Sequence, residues 1–259
     1  MNNLRLALVR NIKLTLEYDG TRFNGWQVQD KSKRTVQGEL NTALSRIFQE
    51  KCSVIGSGRT DSGVHAKGQV ANFKTTSSMT PIQILKALNT SLPEDVSASK
   101  VEEVSQKFHA QYSAKSKTYR YTILNSQNRS ALSRDFSFFY PYPLNLTRIR
   151  RELKNLLGKK DFKSFQAHDS AISEESLKNK STIRTIKRLE IQKNGNFIFI
   201  EIEADGFLYK MVRNIVGTLL EIGSGKRSES LKKILNAKDR RCAGQTAPAK
   251  GLCLREVRY

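Results

Sequence analysis

The chain has 259 residues, 38% of them hydrophobic, with 45 Lys plus Arg against 24 Asp plus Glu and a formal net charge of +21. That length supports a well-buried core in one large or two smaller domains, and no stretch approaches the roughly 20 apolar residues of a membrane helix, so a spanning helix is excluded. The charge excess points to a polyanionic partner, nucleic acid foremost, while Cys52, Cys242 and Cys253 are too few and too scattered for a disulfide frame or a zinc site, which predicts reduced thiols in the cytoplasm.

Met1 to Arg10 contains Leu-Arg-Leu-Ala-Leu-Val, but Arg5 and Arg10 interrupt it and no small-residue cleavage pattern follows, so no signal peptide is expected. Ile12, Leu14, Leu16 and Tyr18 alternate with Lys13, Thr15 and Glu17, the period of a half-buried strand. Thr35 stands as an N-cap before Val36, Leu40, Ala43, Leu44, Ile47 and Phe48, which recur at helical spacing. Cys52 to Ile55 and Gly68 to Thr75 read as short strands around a glycine-rich connection. Thr80-Pro81 opens a second helix and Leu92-Pro93 ends it before a strand at Val96 to Val104.

The second half follows the same order. Thr118 to Leu124 reads as a strand, and Leu146 to Leu157 as a basic helix ended by Gly158. Ile183 to Ile191 and Phe197 to Ile202 form a hairpin turned at Asn194-Gly195. Leu208, Met211, Val212, Ile215, Val216, Leu219 and Leu220 make a helical stripe ending near Gly223, and Leu252 to Val257 is a closing strand. The order strand–helix–strand–strand–helix–strand therefore occurs twice. This predicts an α+β fold of two ferredoxin-like βαββαβ halves with antiparallel sheets, residues 1–105 and 106–259. Two polar loops, Asn125 to Arg134 and Ala167 to Ser181, are long enough to be functional or mobile.

Basic residues gather on folded segments and not in a tail. Lys107, Lys115, Lys117 and Arg120 lie in an acid-free stretch. Arg148, Arg150, Arg151, Lys154, Lys159, Lys160 and Lys163 follow with only Glu152 and Asp161 among them, and Lys226 to Arg241 is similarly rich.

The sharpest local pattern is Gly56-Ser57-Gly58-Arg59-Thr60-Asp61-Ser62-Gly63-Val64-His65-Ala66. Its glycines permit close approach of a substrate, with Arg59 and Asp61 held mid-turn. It lacks the Lys-Ser/Thr of a phosphate-binding loop, and Asp61 stands where a dinucleotide fingerprint requires glycine. Taken alone, the segment is equally an ordinary strand–turn–strand link with an Asx-turn at Asp61.

This segment resembles the G-[AS]-G-R-T-D-x-G-V-H-A signature of the tRNA pseudouridine synthase A family. Tyr18-Asp19-Gly20-Thr21-Arg22-Phe23-Asn24-Gly25-Trp26-Gln27 and Thr35-Val36-Gln37-Gly38 resemble its amino-terminal block, and Lys117-Thr118-Tyr119-Arg120-Tyr121 its K-x-Y-x-Y strand. Phe207 to Gly217 resembles its carboxy-terminal helix, and Thr246-Ala247-Pro248-Ala249-Lys250-Gly251-Leu252 its T-A-P-x-x-G-L entry. Ser62, Ala249 and Tyr209-Lys210 depart from the usual Ala, Pro and paired His without removing a catalytic group.

The resemblance implies isomerisation of uridine to pseudouridine at positions 38, 39 and 40 of the tRNA anticodon arm, with Asp61 as nucleophile. No cofactor or metal is expected, the two halves are expected to join around a central basic cleft, and the resemblance implies a homodimer whose two chains jointly form the basic clefts. A carboxylate can attack C1′ of the sugar or C6 of the base, or assist a glycal-like intermediate, and the residues do not choose among these routes. Arg213 is the candidate cation beside Asp61, about 120° from the centre of its apolar stripe, where it is otherwise a solvated helix-face arginine. Tyr119 is the candidate to stack on a flipped uracil and offer its hydroxyl near C5, against the alternative of a core tyrosine. Leu252 is the candidate pocket floor, or simple core packing. Arg59 either wedges against the base or holds a phosphate. His65, His109 and His168 show no metal spacing.

Three other readings compete. Two ferredoxin-like units also describe a non-enzymatic protein of tandem RRM-like modules, and Lys67-Gly68-Gln69-Val70 begins like RNP1, but Gln69 replaces its aromatic. A pseudouridine synthase for a different RNA position stays within the enzyme class. A DNA-bending architectural protein explains the charge and none of the motifs.

Overall fold

The computed structural model describes residues 8–30, 32–168 and 181–259. Most of the polar loop expected from Ala167 to Ser181 lies outside them, as does the start of the amino-terminal segment. The fold is mixed α+β, and its internal contacts divide it into two units, Met1–Lys115 with Leu254–Tyr259, and Ser116–Cys253.

In the first unit β1 (Arg10–Tyr18) pairs antiparallel with β3 (His65–Thr75) and β4 (Val96–Val104), placing Leu14 opposite Ala71 and Val101. Ile12, Leu14 and Leu16 are fully buried, as their alternation predicts, and each contributes about 1.5–3 kcal/mol of burial. α1 (Val36–Phe48) starts where Thr35 accepts from the Gly38 amide and buries Val36, Leu40, Ala43 and Leu44. α2 (Pro81–Ser91) opens on a reciprocal capping box between Thr80 and Gln83 and buries Ile84 and Leu88. A short β2 (Ile55–Gly56) pairs with Asn72 and Ala71 of β3, giving the order β4-β1-β3-β2. β10 (Leu252–Arg258) also runs beside β3, so close that a β-carbon on Gly68 would come within 2.4 Å of the Arg255 carbonyl.

The expected strand Cys52 to Ile55 is corrected to these two residues. Cys52 and Val54 are buried, but their amides bond Ser45 Oγ and Asn41 Oδ1 on α1 instead of a neighbouring strand. Side-chain acceptors on the preceding helix have outcompeted ladder pairing there.

In the second unit β5 (Ser116–Leu124) pairs antiparallel with β9 (Phe197–Ala204), β9 with β8 (Ile183–Asn194), and β8 with β7 (Gly158–Asp161). The β8–β9 turn is Gly195-Asn196, one residue later than expected, with Gly195 at φ +55. β6 (Phe138–Phe139) adds parallel to β5. α3 (Leu146–Leu153) stops earlier than predicted and tightens into a 3₁₀ turn, Lys154–Leu156, before Gly158 at φ +87. α4 (Met211–Gly223) is not a one-sided stripe: Asn214, Gly217 and Thr218 are buried along with its apolar residues, and Leu208 lies outside it. α5 (Leu231–Ala237), capped by Ser230, and β7 were both concealed by lysines that read only as charge. Among the described residues no helix is long and apolar enough to cross a membrane.

Candidate active site

Asp61 sits half-buried in the loop from β2 to β3, and the adjacent Arg59 is exposed. The loop turns sharply through Asp61-Ser62-Gly63-Val64, closed by the Val64 amide on the Asp61 carbonyl at 3.1 Å, with Gly63 at φ +75. Glycine at the third position of such a turn is what a type II geometry requires.

The segment from Tyr18 to Trp26 braces this turn. The Trp26 amide donates to the Thr60 carbonyl at 3.0 Å, and the Phe23 carbonyl accepts from the Gly63 amide at 3.3 Å and from Ser62 Oγ at 3.1 Å. The Tyr18 hydroxyl lies 2.8 Å from Thr60 Oγ1. Trp26 packs its indole against Gly56, where a β-carbon would be 2.5 Å from the ring. His65 Nδ1 lies 3.0 Å from the Gly20 amide nitrogen and 3.1 Å from Asp19 Oδ1, which makes His65 an anchor of the same brace. Behind Phe23, Arg34 stacks 4.2 Å from the ring centroid and grips Asp95 through two bonds of 2.6 and 2.8 Å. Two sequence blocks that looked separate are thus one hydrogen-bonded assembly, and its effect is to fix where the Asp61 backbone lies.

The other singled-out residues belong to the second unit. Tyr119, 8% exposed on β5, meets Phe207 edge-on at 5.0 Å and 87°. Tyr121 is fully buried on the same face and donates its hydroxyl to the Pro248 carbonyl at 2.8 Å. Burial pushes the Tyr121 phenol well above its usual range, opposed by the nearby charge of Arg213. Arg213 donates Nε to the Ala247 carbonyl at 2.8 Å, and the Ala247 amide returns a bond to the Arg213 carbonyl at 3.1 Å. Arg213 is therefore an oriented, half-buried arginine on α4. Leu252 is buried at the start of β10.

Asn214, which sequence reasoning passed over, holds this strand entry. Its Oδ1 accepts from Thr246 Oγ1 at 2.6 Å and from Arg240 at 3.1 Å, and its Nδ2 donates to the Phe165 carbonyl at 2.8 Å. The available signal was a polar residue inside an apolar helical pattern.

The basic residues separate into two kinds. Arg120 is committed to Glu201 at 2.7 Å and lies over Phe199, and Lys117 is desolvated enough that burial, with Arg184 nearby, lowers its pKa. Lys115, Arg150, Arg151, Lys154, Lys159 and Lys163 are exposed and suit an RNA backbone.

Residues 15–113 and 153–259 match a family model described as tRNA pseudouridine synthase. The chain is 46% identical over 252 residues to tRNA pseudouridine synthase A of Clostridium acetobutylicum, covering 97% of this chain and 100% of that one. It is 44% identical over 252 residues to tRNA pseudouridine synthase A 2 of Clostridium perfringens, with the same coverage. A relative from Geobacillus, also named tRNA pseudouridine synthase A, is 44% identical and covers 96% of this chain and 98% of its own.

Proposed function

Since the chain belongs to the tRNA pseudouridine synthase family and is an isomerase that converts uridine in tRNA, we propose that Asp61 is its nucleophile and that its targets are positions 38, 39 and 40 of the anticodon arm. Isomerisation breaks the C1′–N1 bond, turns the uracil and rejoins it through C5, which then loses its proton. A carboxylate is suited to the first step by attack on C1′ or C6, or by assisting a glycal-like intermediate. The observation that carries the assignment is the brace around Asp61. Amide and carbonyl bonds from Phe23 and Trp26 hold the loop on both sides of a half-buried carboxylate, the preorganisation that a positioned reacting group requires.

In this reading Tyr119 stacks on the uracil, Arg213 contacts the substrate from its fixed place on Ala247, Leu252 floors the base site and Arg59 meets the RNA. The order β4-β1-β3-β2 with α1 and α2 supports a ferredoxin-like first half over 1–105, and β5-β9-β8 with α3 and α4 supports its counterpart over 106–259. A basic tRNA-binding cleft, a homodimer and a cytoplasmic location complete the proposal, the homodimer resting on the resemblance and the location on the scattered cysteines. Family membership displaces the non-enzymatic tandem-RRM reading.

The test incubates the parent and Asp61→Asn with unmodified tRNA transcripts and maps pseudouridine position by position. The parent is expected to modify positions 38, 39 and 40 and the variant to give no product, with tRNA affinity and unfolding midpoint near those of the parent. Parental turnover overturns Asp61 as nucleophile, and product confined to other positions overturns the target assignment.

A further inference from the structure

Beneath the Asp61 loop runs a buried polar chain that the reaction itself does not require. Gln69 of β3 is fully buried, Tyr18 of β1 is 3% exposed and Thr60 is 6% exposed. Gln69 Nε2 donates to the Gly58 carbonyl at 3.0 Å and to the Tyr18 hydroxyl oxygen at 3.4 Å, while its Oε1 accepts from Ser57 Oγ at 2.7 Å and from the Val70 amide at 3.2 Å. The Tyr18 hydroxyl in turn lies 2.8 Å from Thr60 Oγ1.

An amide nitrogen can only donate, so the Tyr18 oxygen accepts from Gln69 while sharing a second hydrogen bond with Thr60 Oγ1. Thr60 is then held twice, through its side chain by Tyr18 and through its carbonyl by the Trp26 amide. It is the residue before Asp61. Apolar side chains of the same shape would fill the space under the loop but would leave it able to slide, because packing is non-directional and hydrogen bonds are not.

We propose that Thr60, Tyr18 and Gln69 are positioning residues that set the aim of the Asp61 carboxylate on the reacting uridine. The proposal rests on Asp61 being the nucleophile. A displacement of about an ångström at a reacting group can cost about a hundredfold in rate, so this chain controls the chemical step and not tRNA affinity.

The experiment measures single-turnover rate at saturating tRNA, tRNA affinity and unfolding midpoint for Thr60→Val, Thr60→Ser and Tyr18→Phe beside Asp61→Asn. Thr60→Val keeps shape and loses the hydroxyl, and its rate is expected to fall about 10- to 100-fold with affinity unchanged. Thr60→Ser restores the hydroxyl and most of the rate, which a loss of packing alone would not allow. Tyr18→Phe, which also loses the bond from Gln69, falls at least as far, and the double variant Tyr18→Phe, Thr60→Val falls no further than Tyr18→Phe alone, because both remove the Tyr18–Thr60 bond. A parental rate in Thr60→Val, with Asp61→Asn inactive, overturns the positioning role and leaves the nucleophile intact. Turnover in Asp61→Asn overturns the nucleophile reading itself. If Thr60→Val does not fold, Tyr18→Phe decides: a parental rate overturns the proposal, and a fall with intact affinity sustains it.

Discussion

Gly25 lies so close to Thr60 that a β-carbon on residue 25 would stand 2.7 Å from the Thr60 carbonyl oxygen. That same oxygen accepts the amide of Trp26, so the two backbones approach edge to edge just before Asp61. Gly25 also adopts φ +88, where a side chain is strained whatever space surrounds it. The amino-terminal block is thus a support for the carboxylate loop that only glycine can complete at this point.

Gly25→Ala is expected to destabilise the protein by roughly 1–2 kcal/mol from the left-handed backbone alone, with a further cost of about 1–3 kcal/mol from crowding the Thr60 carbonyl. Because the clash pushes on the residue before Asp61, turnover should fall even where the variant is fully folded. Urea unfolding together with single-turnover measurement checks both parts, and an alanine variant as stable and active as the parent refutes the brace.

The Arg34–Asp95 pair behind Phe23 makes stability depend on acid. Its hydrogen bonds to Arg34 hold the Asp95 carboxyl below the usual carboxylate range. A depressed carboxylate stabilises the fold above its unfolded pKa of about 3.9, and this contribution disappears as pH falls through the folded value. Asp95→Asn should therefore lose about 1–2 kcal/mol at pH 7, and the gap to the parent should narrow in acid below that pKa. Unfolding midpoints at neutral and strongly acidic pH measure it, and a gap that widens in acid contradicts the pairing.

Binding of tRNA should depend steeply on salt, by about 0.7–0.9 log units per log unit of salt for each phosphate neutralised. Replacing Arg150 and Arg151 together by Ala, both exposed on α3, should weaken binding and flatten that slope while sparing turnover at saturation. Tyr119→Phe should do the reverse, slowing the chemical step with affinity intact if its hydroxyl assists proton removal from C5. A wild-type slope near zero refutes phosphate-led binding, and an unimpaired Tyr119→Phe leaves that residue as a stacking surface.

Much of the fold was legible in local pattern. The alternation of Ile12, Leu14 and Leu16 and the caps at Thr35 and Thr80 place β1, α1 and α2 correctly, because burial on one face and the unpaired amides of a helix start are satisfied by residues nearby in sequence. The motif around Asp61 and the family it resembles were likewise legible, since close backbone approach demands glycine and the motif lies in contiguous residues. Where non-neighbouring groups compete, local pattern failed. The amides of Cys52 and Val54 go to α1 and not to a strand, α5 hides its buried Leu231, Ile234 and Leu235 among lysines, and β7 buries no residue at all.

What only the tertiary structure decided is who holds whom. Tyr18 and Thr60 are 42 residues apart, Tyr18 and Gln69 are 51 apart, and Arg213 is fixed by a carbonyl 34 residues away. Arg120 and Lys117 look like phosphate contacts as letters, yet one is paired with Glu201 on the adjacent strand and the other is half-buried with Arg184 nearby. A hydrogen bond or an ion pair between distant residues imposes no period on the chain. It depends on distances that exist only once strands have paired and helices have packed.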